Sequence, residues 1–131
     1  MFKNLFLAIL FFLPMAANAH SPLASSFPKS GENLNVPPAE VIIVFQSSAK
    51  LIKVSLSALS EKQSKSPLGK LYRNHHGEPI ALGAIPLMKI RKRHIISLPL
   101  LGRGKYLFAW RAMGEDGHVI KGELTFTIVG A

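Results

Sequence analysis

Cysteine is absent from the 131 residues. No disulfide can staple this chain, and thiolate chemistry is closed to it: zinc ribbons, iron–sulfur clusters and cysteine nucleophiles all go. Acidic side chains are also scarce, 7 Asp and Glu against 16 Lys and Arg, for a formal net charge of +9. With 48% hydrophobic and only 18% charged residues, the chain is too apolar for an intrinsically disordered segment. Long hydrophobic runs are missing too. The longest, residues 5–13, falls short of a hydrocarbon core about 30 Å thick even as a helix rising 1.5 Å per residue. There is no Gly-x-Ser-x-Gly elbow, no His-Glu-x-x-His and no phosphate loop. What remains is one small, basic domain whose metal or catalytic chemistry must rest on nitrogen and oxygen.

The N-terminus reads as a processing signal. Lys3 supplies a positive start, residues 5–13 an apolar stretch, Pro14 its end, and Ala17-Asn18-Ala19 the small-x-small pattern of a signal peptidase site. A cut after Ala17 would put the bulky Met15 at the −3 position, so the expected division is a cleaved secretory leader, 1–19, and a mature domain, 20–131. His20 would then carry a free α-amine that closes a chelate ring with its own imidazole. The plainer reading is that His20 merely happens to follow the leader.

Along the mature chain, Pro22, Pro28, Pro37 and Pro38 oppose helix. Residues 41–45 form a β-branched run, and residues 51–56 alternate, with Ile52, Val54 and Leu56 on one face. Residues 61–67 are polar and loop-like, a strand is expected before the turn at residues 74–77, and residues 93–98 are a short strand ending at Pro99. In 105–111, Tyr106, Phe108 and Trp110 share a face and belong to the core. Residues 122–129 close the chain with a second alternating strand. About seven short strands without helical periodicity predict an all-β fold, a small antiparallel immunoglobulin-like (Greek-key) β-sandwich. No Cys…Trp…Cys spacing exists, which excludes an antibody-type domain.

Asp116-Gly117-His118 is the most informative internal triplet. If extended, Asp116 and His118 point the same way and converge on one ion. With the amine and ring of His20 the set becomes three nitrogens and one oxygen, which suits tetragonal Cu(II). Zinc is compatible with these ligand types, but its tetrahedral sites usually draw on more His or Cys. The competing reading is a hairpin turn, which Asp-Gly favours unaided.

Several stretches together carry a family likeness: His20 after the leader; residues 25–31, SSFPKSG; the strand ending at Phe45; Gly77-Glu78-Pro79-Ile80, read as a turn; residues 104–111, GKYLFAWR; then Asp116-Gly117-His118 and residues 122–126, GELTF. Over nearly the whole mature domain the chain resembles the CopC family of periplasmic copper-binding proteins, also called copper-resistance proteins. The resemblance implies a β-sandwich in the periplasm holding one Cu(II) per chain through His20, Asp116 and His118. It implies sequestration or delivery of copper, with an inner-membrane copper transporter as partner. The chain departs from the family in three places. Mature methionines are only Met88 and Met113, so no Met-rich Cu(I) site is expected, since Cu(I) wants soft thioethers. Gln46-Ser47-Ser48 replaces an acidic residue after the first strand, and Ser21-Pro22 follows His20.

Other features carry less. His75 and His76 could hold a second metal ion weakly, though paired histidines on a turn are more often bystanders. Lys89, Arg91, Lys92 and Arg93 form a basic run before His94. Such a run resists edge aggregation or meets an anionic surface; an exported protein does not meet nucleic acid as its business. An N-terminal His on copper also occurs in oxidative polysaccharide-cleaving enzymes, which leave a coordination position open. Here Asp116 would fill it, so the expectation is no enzyme. The expected molecule does not span a membrane, and its net charge favours a monomer. The alternative is a metal-free immunoglobulin-like envelope module docking an acidic partner or anionic surface through Arg91, Lys92 and Arg93.

Overall fold

The structure, a computed structural model, describes residues 23–59 and 77–130. The leader, His20, Ser21-Pro22, the polar segment 61–67, the strand expected before residue 74, and His75 and His76 lie outside the described residues.

Seven strands follow one another: β1 (Leu23–Phe27), β2 (Glu32–Leu34), β3 (Glu40–Leu59), β4 (Glu78–Ile80), β5 (Ile90–Ser97), β6 (Gly104–Gly114) and β7 (Val119–Ile128). No helix occurs among the described residues. Hydrogen bonding joins them in the order β1–β3–β6–β7–β2, with β4 and β5 also on β3. The all-β sandwich expected from the alternation is what forms. Every pairing is antiparallel except β2 with β7, which is parallel.

The two strands expected at 41–45 and 51–56 are one 20-residue strand, β3. The linking residues Gln46-Ser47-Ser48 contain neither Gly nor Pro, so nothing turns the chain back. Instead β3 serves two sets of neighbours. Its first half pairs with β1 and β5, and its second half with β6 and β4. The passage between them is irregular: pairing with β5 jumps from Val44 to Ala49, and pairing with β6 shifts between Leu51 and Lys53. The second shift is a bulge, and it resets which side chains face inward. Val41, Ile43, Phe45, Ala49 and Leu51 are buried on one parity and Leu56 on the other. Ile52, expected beside Val54 and Leu56, is only half-buried because Leu51 takes the inward place. The segment expected as a turn at 77–80 contributes β4, whose Pro79 sits opposite Ser57. A proline is tolerated on such a short outer strand.

The two halves close on a common core. Phe45, Phe108 and Phe126 are fully buried, with Val41, Ile43, Leu56, Ile96, Leu124 and Ile128 around them. Burying each such side chain contributes about 1.5–3 kcal/mol, the main stabilisation of a chain without crosslinks. Tyr106 and Trp110 join Phe108 on the inner face of β6, as their spacing required. The Tyr106 hydroxyl donates to the Gly102 carbonyl at 2.8 Å, a tie between strand and preceding corner known from immunoglobulin-like sandwiches.

Candidate metal centre

β6 and β7 run antiparallel with ten successive pairs, from Gly104 with Ile128 to Met113 with Val119. They join through a tight connection. The Gly114 N–H donates to the His118 carbonyl at 3.0 Å, and the Gly117 N–H donates to the Gly114 carbonyl at 3.0 Å. Gly117 closes the turn with φ of 81°, a left-handed conformation that costs glycine little. A turn followed by a left-handed glycine is a common three-residue hairpin loop. Asp116-Gly117-His118 is therefore a turn and is not extended, contrary to the geometry that made Asp116 and His118 parallel.

The turn brings the two side chains together all the same. Asp116 Oδ1 accepts the His118 backbone N–H at 3.0 Å, and Oδ2 lies 2.7 Å from His118 Nδ1. A carboxylate only accepts, so Nδ1 carries the hydrogen. Both side chains are exposed, 85% for His118 and 67% for Asp116. The side-chain hydrogen bond to His118 holds the Asp116 carboxyl below its ordinary range, helped by the backbone N–H. The same bond, together with the negative charge of Asp116, raises His118. Nε2 is left free for a cation while Asp116 orients the ring. Displacing the shared proton would let Nδ1 and Oδ2 take one cation jointly.

Two donors do not complete a metal site, and among the described residues no group of three or more His, Cys, Asp or Glu converges. The further donor named by the sequence, His20, lies outside the described residues. Where β1 begins bears on it. Leu23 pairs with Phe45, and four residues further along β3 Ala49 pairs with Gly114, the base of the Asp116–His118 loop. At about 3.3 Å per residue, those β3 positions are roughly 13 Å apart.

The remaining candidates separate clearly. Arg91, Lys92 and Arg93 are exposed on β5, which pairs with β3 alone. His94, next in sequence, is 4% exposed. Its Nε2 lies 2.8 Å from the Ala49 carbonyl and 2.9 Å from the Arg91 carbonyl. Two carbonyls can only accept, so Nε2 is the donor, and the ring meets Phe45 edge-on. This histidine ties β5 to the irregular passage of β3. The sequence singled it out only as a neighbour of the basic run; its alternation with Ile96 was the available sign that it faces inward.

Residues 23–129 match the model of the CopC domain family. The chain is 30% identical over 119 residues to copper resistance protein C of Escherichia coli, spanning 86% of this chain and 84% of that protein. Among solved structures, CopC from Methylosinus trichosporium OB3b aligns with a TM-score of 0.59 at 22% identity, over 83% of this chain and 93% of that one. PcoC, a methionine-rich copper resistance protein from Escherichia coli, aligns with a TM-score of 0.58 at 26% identity, over 83% and 98%.

Proposed function

The chain belongs to the CopC domain family, and from that premise we propose that it is an exported copper-binding protein that sequesters or delivers the metal in the periplasm without catalysing a reaction. The leader 1–19 is removed, and the domain 20–131 takes one Cu(II) through the amine and ring of His20 together with Asp116 and His118. Copper is cargo here, handed to an acceptor such as an inner-membrane copper transporter. The observation that carries this reading is the Asp116–His118 pair: one oxygen and one imidazole nitrogen in contact on an exposed loop. The start of β1 supports it, since three residues of extended chain reach about 10 Å and His20 is that far from Leu23 in sequence. The likeness to copper resistance protein C of Escherichia coli agrees with a copper-related role.

The donor set fits Cu(II) chemically. Nitrogen-rich, tetragonal sites favour it, and it heads the divalent affinity order. A Cu(II) titration of protein beginning at His20, followed by electron paramagnetic resonance, tests the reading. One equivalent with a nitrogen-rich tetragonal signal is expected, lost when one residue is added before His20. Equal binding with and without the added residue would remove the amine from the site.

A second reading keeps one observation of its own, the exposed cations Arg91, Lys92 and Arg93 on the outer strand β5. A metal-free docking module would lose its partner on changing all three to Ser and would not respond to N-terminal extension.

A further inference from the structure

Three cations far apart in sequence meet on the outer face of the β3–β6–β7 strands. Lys53 of β3 pairs with Arg111 of β6, and Arg111 pairs with Lys121 of β7. Directly paired residues put their side chains on the same face, so the three stand in one row across three adjacent strands. All three are exposed. Like charges directly opposite each other disfavour the pairing that holds them. No carboxylate relieves them: among the described residues the one ion pair is Asp116 with His118. Glu123 stands one row along, opposite Ala109 and in line with Ser55, on the rim of the same depression, and pairs with none of the three.

The row borders a depression of about 480 Å³. Its floor is low because the outward-facing residues beside the row, Ser55 and Ala109, are small. That volume falls within the roughly 300–1,000 Å³ of sites for small molecules. The spacing also has a meaning. Strands about 4.8 Å apart put Lys53 and Lys121 roughly 10 Å from each other, with Arg111 between. A guanidinium offers a planar fork that binds two oxygens of one phosphate, and ammonium groups on either side act as point charges. This suits an anion whose charge is spread over more than one phosphate.

We infer that Lys53, Arg111 and Lys121 form a binding site for a small, soluble polyvalent phosphate on the outer face of β3, β6 and β7. The basic run of β5 does not share this property. Arg91, Lys92 and Arg93 are consecutive on a strand, so their side chains alternate between faces and cannot converge on one ligand. A membrane surface is the poorer occupant of the row, because the cations border a depression that a flat headgroup layer would not enter. The site is separate from the metal loop: His118 precedes Lys121 by three residues, roughly 10 Å along the strand.

The test uses copper-free protein in phosphate-free, low-salt buffer, titrated with sodium pyrophosphate. Calorimetry gives the stoichiometry. Trp110, the one tryptophan of the chain, packs from the inner face beneath Gly122, directly behind the depression, and gives a secondary fluorescence reading. Saturable binding at one equivalent is expected. It should weaken at least tenfold in Arg111→Gln and in the double variant Lys53→Gln/Lys121→Gln, and remain unchanged in Arg93→Gln. Without the anion, both variants should unfold at or above the parent midpoint, since a repulsion has been removed. If Arg111→Gln unfolds earlier, Arg111→Lys keeps the charge without the fork and should bind with intermediate affinity. Absence of saturable binding overturns the inference. So does equal weakening by Arg93→Gln, which would mean net charge alone. Arg111-dependent binding to anionic phospholipid vesicles without pyrophosphate binding would reassign the row to membranes.

Discussion

Asp116 and His118 each change the proton affinity of the other. The hydrogen bond between them lowers the carboxyl and raises the imidazole. A raised histidine adds stability below its unfolded pKa of about 6.5, and this is lost as pH climbs through the folded value. A lowered aspartate adds stability above its unfolded value of about 3.9, lost as pH falls through the folded one. The pair therefore favours the loop between about pH 4 and 6.5 and weakens on either side. In a proton-resonance titration of the metal-free protein, Asp116→Asn should return His118 toward an ordinary histidine pKa. An unmoved titration would separate the two groups. At Gly122 the constraint is steric instead. A Cβ there would overlap the indole ring of Trp110, and buried overpacking costs typically 1–3 kcal/mol. Gly122→Ala should lower stability by about that much in denaturant unfolding, with copper stoichiometry unchanged. That glycine could not be interpreted from the sequence, because its partner lies on the neighbouring strand.

Among the elements, β3 departs most from what its sequence suggested. The alternation at 41–45 and 51–56 was legible; their continuity rested only on the lack of Gly and Pro in Gln46-Ser47-Ser48, a weaker sign than alternation. Pairing with β5 skips from Val44 to Ala49, and the ring of His94 stands at that irregularity, bonded to the Ala49 and Arg91 carbonyls. A buried acceptor deprived of its donor costs about 1–3 kcal/mol. His94→Leu is expected to destabilise the fold by about that amount in urea unfolding, and to leave Cu(II) binding in place. Loss of copper with retained stability would instead make His94 part of the metal chemistry. The β6–β7 hairpin shows the opposite case. Asp-Gly announced a turn, which forms, and the two side chains that suggested a metal pair stand in contact within it.

At the scale of the molecule, a ligand that binds only the folded state stabilises it by mass action, about 2.7 kcal/mol at a hundredfold excess over Kd. Cu(II) should therefore raise the unfolding midpoint by several degrees when the chain starts at a free His20, and by much less when one residue precedes it. The gain should fade toward pH 5, where protons compete for the amine and both imidazoles; the raised proton affinity of His118 starts this loss at higher pH. An unaltered gain at pH 5 would count against a ligand set of amine and imidazoles. Differential scanning fluorimetry across pH reads both effects.

By itself the sequence determined the class of fold, the inner faces of β6 and β7, and the residue types available to a metal. These are properties of one strand or one turn, written in period-two alternation, in β-branched runs and in an Asp-Gly pair. The tertiary structure alone decided that β3 is shared between two sets of neighbouring strands and that His94 is a structural tie. It also decided that Lys53, Arg111 and Lys121 share a row. Each of these depends on register between strands, and register is set by packing across the whole core rather than by any single stretch of chain.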